Sequence, residues 1–121
     1  MPAAKILIVE DEGIVSTDIR FILRKIGYSA AAAAFSAEEA LEKIDEDKPD
    51  LILMDIGLKG RFDGIEAAKI VKEKHNIPVV FLTGYADENT LSRAKSIDPA
   101  GYIIKPIDEN ELKKLLERAL P

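Results

Sequence analysis

The stretch Leu51-Ile52-Leu53-Met54-Asp55 decides the fold class, because four apolar residues in a row lead directly into a carboxylate. Short, continuously apolar runs separated by helix-like segments are typical of parallel strands buried on both faces. Three other runs have the same form, and each leads into a polar residue: Lys5–Val9 into Glu10 and Asp11, Val79–Leu82 into Thr83, and Tyr102–Ile104 into Lys105, which Pro106 follows. The sequence therefore predicts an open parallel sheet.

The segments between these runs carry signals for helices. Apolar residues at helical spacing predict a first helix closed by Gly27, with the stripe Ile14, Val15, Ile19, Ile22, Leu23 and Ile26. A weaker strand is expected near Tyr28–Ala34, although its alanines favour helix.

Three later helices begin with a capping signal, in which Ser or Asp is followed three residues later by Glu. The pairs are Ser36 with Glu39 (helix to about Glu46), Asp63 with Glu66 (helix to roughly Lys74), and Asp108 with Glu111. Asp87 is expected to cap another helix, which Pro99 ends. Five strand–helix units with short links predict one α/β domain over residues 1–121, a doubly wound five-stranded parallel sheet flanked by five helices.

Composition excludes several classes of function. A net charge of −5 without a dense basic run makes nucleic acid an unexpected direct partner. The absence of cysteine excludes disulfides, thiolate catalysis and cysteine-type zinc sites. The apolar stretches are too short to insert into a membrane, and the N-terminus lacks the long apolar region of a secretory signal, so we expect a cytoplasmic location.

The polar residues that follow the strands are expected to converge, because ligands of open parallel sheets bind beyond the carboxyl ends of the strands. Three close carboxylates, Glu10, Asp11 and Asp55, would repel one another and raise at least one pKa unless a cation lay among them. Such hard oxygen ligands suit Mg²⁺. The alternative, that acids at strand ends only cap the following helices, explains one acid better than all three together with Lys105.

Asp55 is the best candidate for a nucleophile, since a carboxylate can attack phosphorus and form an acyl phosphate. The transferring phosphoryl group requires positive charge and hydrogen-bond donors at its oxygens. Lys105 offers the charge and Thr83 offers a hydroxyl. Taken alone, Thr83 would be interpreted as a strand-end hydroxyl that bonds to the backbone.

Together these residues resemble the receiver domain of two-component response regulators, of the chemotaxis-regulator type, over essentially the whole chain. Singly the motifs are weak, but their order and spacing are highly specific. They are Ile8-Val9-Glu10-Asp11-Glu12, Leu53-Met54-Asp55-Ile56, Asp63-Gly64-Ile65-Glu66-Ala67, Leu82-Thr83-Gly84 and Gly101-Tyr102-Ile103-Ile104-Lys105-Pro106.

The resemblance implies a flavodoxin-like fold with strand order 2-1-3-4-5. It implies that Asp55 accepts a phosphoryl group from a partner histidine kinase or phosphotransfer protein, and that a downstream effector protein or domain responds. It also implies a Mg²⁺ ion held by Asp11, Asp55 and the backbone carbonyl of Gly57, with Glu10 acting through water or more distantly.

The resemblance further implies that Lys105 contacts the phosphoryl oxygens and that its bond to Pro106 is cis. Thr83 and Tyr102 match the family's switch pair, in which the hydroxyl moves toward the phosphoryl group and the ring turns inward. Tyr85 matches a position whose side chain overhangs the acyl phosphate.

Two other functions compete with a phosphorylation-controlled binding switch. An aspartate-nucleophile phosphatase needs a second acid two residues after the nucleophile, where this chain has Gly57, so we do not expect an enzyme. A phosphate-independent pseudo-receiver would lack one of the key groups, and all are present. The loop Gly57–Phe62 departs from the usual pattern by one extra residue and a missing proline, and His75 is expected to be solvated.

Overall fold

The computed structural model describes residues 4–29, 31–59, 63–84 and 88–120. Within them, five strands alternate with five helices: β1 Ile6–Val9, α1 Gly13–Lys25, β2 Ala31–Ala34, α2 Ala37–Glu46, β3 Leu51–Asp55, α3 Gly64–Lys74, β4 Val79–Thr83, α4 Glu88–Ser96, β5 Gly101–Ile104 and α5 Glu109–Ala119. All strand pairs are parallel, in the order β2-β1-β3-β4-β5. This confirms the predicted doubly wound, flavodoxin-like fold.

The sheet separates two apolar clusters, since successive side chains of a strand point to opposite faces. Leu53 of β3 packs on the face covered by α1 and α5, whereas Met54 packs on the face covered by α2, α3 and α4. Burying such a side chain fully contributes about 1.5–3 kcal/mol relative to leaving it exposed. The central strands β1, β3 and β4 are buried on both faces, as expected.

The two edge strands are less buried than the sequence predicts. In β5, Ile103 is buried but Ile104 is 65% exposed, and β2 has only Ala34 fully buried. An edge strand lacks a neighbour on one side, so its outer side chains receive less cover from the helices.

The predicted helix starts are largely confirmed. Asp63 and Glu66 form a reciprocal capping box, and Asp108 accepts from two backbone N–H groups of α5. At α2, Ser36 Oγ accepts from the N–H of Glu39, but the Glu39 carboxylate accepts from the N–H of Phe35 rather than from Ser36. The predicted cap at Asp87 lies outside the described residues.

The predicted apolar stripe of α1 is wrong at Ile14, which is 86% exposed. The buried face of the helix contains Ser16, Ile19 and Leu23, and Ile14 lies about 200° from Ser16 around the axis. Phe21 follows Ile14 by seven residues, lies on the same outer face and is 68% exposed. The helix ends before Gly27, whose φ of 106° suits glycine.

No helix in the described part of the chain combines the length and the apolar character that crossing a membrane requires.

Candidate functional site

The carboxyl ends of the strands border one open cleft of about 680 Å³. The side chains or backbone that line it belong to Asp11, Glu12, Phe35, Asp55, Ile56, Gly57, Lys59, Thr83, Gly84 and Lys105. Glu10 lies beside this cleft and is fully buried. Carboxylate oxygens of Glu10, Asp11 and Asp55 lie within 4.8 Å of one another.

Strand alternation places these side chains on particular faces of the sheet. Asp55 continues the series of Leu51 and Leu53, which face α1 and α5. Thr83 continues the series of Val79 and Phe81, which face the opposite cluster. The acid and the hydroxyl therefore meet at the strand ends from different faces.

Lys105 joins two of the acids. Its Nζ lies 2.6 Å from Glu10 Oε1 and 3.4 Å from Asp55 Oδ1. Burial lowers the pKa of Lys105, but the hydrogen bonds and the attraction to both acids outweigh burial and raise this pKa above its ordinary value. The ammonium therefore remains charged at neutral pH.

Glu10 is the acid whose pKa is raised, to about 7. Burial is the largest cause, and the neighbouring Asp55 raises the pKa further, while the bonds from Lys105 and from the N–H of Glu12 lower it. A raised pKa in this cluster was expected from carboxylate repulsion, but desolvation contributes more.

Backbone N–H groups fix the two aspartates. Asp55 Oδ1 accepts from the N–H of Gly57 at 3.0 Å, and Asp11 Oδ2 accepts from the N–H of Lys59 at 3.2 Å. The loop after β3 thus holds both carboxylates at the cleft.

The donor set fits a Mg²⁺ ion, which prefers a few hard oxygen ligands and retains several waters. Both oxygens of Glu10 already accept hydrogen bonds, Oε1 from Lys105 and Oε2 from Glu12 at 3.3 Å. Asp11 and Asp55 border the open cleft, so they suit direct coordination better than Glu10 does.

The hydroxyls of Thr83 and Tyr102 share an unusual feature. Each is buried, and neither has a hydrogen-bond partner among the residues that the structure describes. The described contacts therefore do not support the alternative, in which Thr83 Oγ1 bonds to the backbone. The Tyr102 ring packs on Phe81 with the centroids 6.2 Å apart.

Sequence reasoning missed one neighbour of the site, Phe35. Phe35 is 51% exposed at the cleft, and nothing local in the sequence indicates that position.

His75 was expected to be solvated, but it is half-buried and its Nε2 lies 3.1 Å from Asp45 Oδ1. This expectation was wrong because the end of α3 packs beside α2. Tyr85 and the loop residues 60–62 lie outside the described residues.

The peptide bond between Lys105 and Pro106 is cis, as the resemblance implied.

Comparisons with known proteins agree with this architecture. The transcriptional regulatory protein PdtaR of Mycobacterium tuberculosis is 34% identical over 116 residues, which are 96% of this chain and 56% of PdtaR. The nitrogen assimilation regulatory protein NtrX of Azorhizobium caulinodans is 39% identical over 98% of this chain and 26% of its own length. The chain therefore spans about half of one relative and a quarter of the other.

Solved structures show the same fold. The signal receiver domain of a modulated diguanylate cyclase from Desulfovibrio desulfuricans G20 aligns with a TM-score of 0.91 and 34% identity, over 98% of this chain and 94% of that one. The chemotaxis protein CheY4 of Vibrio cholerae aligns with a TM-score of 0.86 and 26% identity, over 98% and 100% of the two chains. The sequence also matches the response regulator receiver domain family over residues 6–117. The chain therefore belongs to the receiver domains of two-component response regulators, a family of phosphorylation-controlled signalling domains.

Proposed function

We propose that Asp55 accepts a phosphoryl group from the phosphohistidine of a partner kinase or phosphotransfer protein, and that this change alters the affinity for a downstream effector. The proposal rests on one observation: the ammonium of Lys105 lies between Glu10 and Asp55, and the carboxylate of Asp11 borders the same cleft. A charged donor next to a candidate nucleophile is what the oxygens of a transferring phosphoryl group require.

In the transfer step, an Asp55 oxygen forms a bond to phosphorus while the P–N bond of the donor breaks. The electron pair of that bond returns to the imidazole nitrogen, and the donor histidine leaves after taking up a proton from solvent. Lys105, 3.4 Å from Asp55 Oδ1, contacts the phosphoryl oxygens once they arrive. The Gly57 N–H fixes the orientation of the attacking carboxylate.

Mg²⁺ would be held by Asp11, Asp55 and the backbone carbonyl of Gly57, with Glu10 outside direct contact. When bound, it supplies positive charge that offsets the repulsion between phosphoryl oxygens and carboxylates.

Thr83 is the first residue of the domain to change its contacts after phosphorylation. Its buried hydroxyl has no partner among the described residues, so a new acceptor in the cleft gives it a hydrogen bond that the unmodified protein does not provide. Tyr102 then occupies the volume that Thr83 vacates, and the surface around β5 changes. This is a switch without turnover, since Gly57 supplies no acid to activate water.

The outer face of α1 is the proposed docking surface for the donor protein. Ile14 lies in the first turn of the helix, three residues after Asp11, and is the most exposed of the large apolar side chains in the described chain. A donor histidine must reach Asp55 through the cleft, which Asp11 and Glu12 line just before α1 begins, so a donor protein over the cleft would lie next to Ile14.

We expect neither direct nucleic-acid binding nor membrane insertion, and we propose that the domain acts in the cytoplasm.

The direct test is acetyl phosphate with Mg²⁺, followed by intact mass measurement. Wild-type protein should gain one phosphoryl group, and Asp55→Asn, which is nearly isosteric, should gain none. Asp18→Asn, an exposed acid on α1, is the matched control and should label normally. Labelling of Asp55→Asn would exclude the assignment, and an unlabelled wild type would favour the phosphate-independent pseudo-receiver.

A further inference from the structure

The first residue of α3 lies directly against the backbone of the proposed phosphorylation site. A Cβ atom added to Gly64 would lie 2.0 Å from the carbonyl oxygen of Asp55 and 2.8 Å from its carbonyl carbon. The N–H of Gly64 donates to the carbonyl of Ile56 at 3.3 Å. Because no side chain fits between these backbone segments, the α3 N-terminus cannot move toward β3 without displacing Asp55 or its neighbour.

Asp63 fastens this N-terminus in two directions. Its Oδ1 accepts from the N–H of Glu66 at 2.8 Å, and its own N–H donates to Glu66 Oε1 at 3.1 Å, which completes the helix cap. Its second oxygen, Oδ2, accepts from Arg93 Nη2 of α4 at 3.1 Å. One carboxylate therefore holds both the start of α3 and the helix beside it.

The described part of helix α4 makes little apolar contact with the sheet. Ala94 is its buried residue, so little apolar burial holds the helix on the sheet. Lys72 of α3 donates to the backbone carbonyls of Ile97 and Asp98, just beyond the end of α4. Polar links from α3 therefore reach Arg93 of α4 and the turn that follows α4, and the link to Arg93 starts at the end of α3 that lies against Asp55.

We propose that Arg93 is a positioning residue for Asp55 and acts through Asp63 and Gly64. The position of α4 determines how the N-terminus of α3 packs against the Asp55 backbone. Because coupling between two sites is reciprocal, a change at Asp55 also shifts α4. This link is separate from the hydroxyl route through Thr83 and Tyr102. The inference rests on the proposed function of Asp55.

The test compares the rate of phosphorylation by acetyl phosphate, at saturating Mg²⁺, in Arg93→Gln and Asp63→Asn. Asn also caps helices well, so Asp63→Asn removes the ion pair and retains the cap. Each variant should react roughly two- to fivefold more slowly, the range expected for an exposed pair. The double variant should be no slower than either single variant, and Arg93→Lys should recover part of the rate. Lys95→Gln removes the same charge from exposed α4 and should react like the wild type.

A second measurement does not depend on phosphorylation. In unphosphorylated Arg93→Gln, the amide chemical shifts of Gly64, Ile56 and Gly57 should move, while Lys95→Gln leaves them in place. Wild-type rates together with unmoved shifts in Arg93→Gln would overturn the inference, as would additive effects in the double variant or equal slowing in Lys95→Gln. A wild type that accepts no phosphoryl group would instead refute the function of Asp55, and the shifts would still decide the link to Arg93.

Discussion

Lys105 is held more closely by Glu10 than by Asp55: its Nζ lies 2.6 Å from Glu10 Oε1 and 3.4 Å from Asp55 Oδ1. Glu10 is fully buried, whereas Asp55 borders the cleft. Glu10 therefore holds the ammonium beside Asp55, and the longer contact with Asp55 is the one that the oxygens of a phosphoryl group on Asp55 would replace.

Lys105→Ala should impair the switch more than phosphorylation itself. The substitution removes a charge-assisted bond to the phosphoryl group, so labelling by acetyl phosphate should slow but remain detectable. Phosphorylation should then no longer change the chemical shifts of Thr83 and Tyr102. Lys113→Ala, on the exposed side of α5, is the control, and wild-type shift changes in Lys105→Ala would contradict the role.

Glu10 should make the protein more stable at mildly acid pH than at neutral pH. Its pKa is raised to about 7 in the folded state, above the ordinary value of 4.5, so between these values the folded state binds the extra proton. The free energy of unfolding should therefore fall as pH rises through that window. In Glu10→Gln, this part of the pH dependence should be absent. The difference between wild type and variant should be of order 1–3 kcal/mol across the window.

Urea unfolding at pH 5 and at pH 7.5 measures this difference, with Glu38→Gln as an exposed control. An identical pH slope in wild type and Glu10→Gln would show that Glu10 titrates normally.

Mg²⁺ affinity should depend more on Asp11 than on Glu10. Asp11 borders the cleft, while both oxygens of Glu10 are engaged inside the protein. Changes outside the direct ligands typically weaken metal binding about 10–100-fold, so loss of Asp11 should cost at least about tenfold. Titration calorimetry on Asp11→Ala and Glu10→Gln measures this, and unchanged affinity in Asp11→Ala would move the metal site elsewhere. Apo stability should rise in Asp11→Ala because carboxylate repulsion is relieved.

Ile14→Ser should slow phosphoryl transfer from a histidine phosphotransfer protein without slowing the reaction with acetyl phosphate. The side chain is exposed, so its loss leaves the fold intact while it removes apolar contact area from the donor surface. Phe21→Ser is the graded control, because it lies about 10 Å farther along the same face of α1 and should have a smaller effect. Equal slowing with both phosphodonors would refute the docking role of Ile14.

The fold was predictable because the central strands are continuously apolar and the helix starts carry local caps. Strand ends such as Asp55 and Lys105 could be placed together from topology alone. The exposure of Ile14 was predictable from helix geometry, because Ile14 lies opposite Leu23 around the axis of α1, and grouping it with the apolar stripe was wrong. The bond between Arg93 and Asp63 depends on how α4 packs beside α3, for which the sequence has no local signal.

The alternation of side chains along the sheet also determines where a donor and an effector can bind. Asp55 belongs to the face of α1 and α5, and Thr83 to the face of α4. A donor that docks over α1 and an effector that reads the region around α4 would therefore occupy opposite sides of the protein. Loading and readout need not compete for one surface, so such a domain could be rephosphorylated while its effector stays bound.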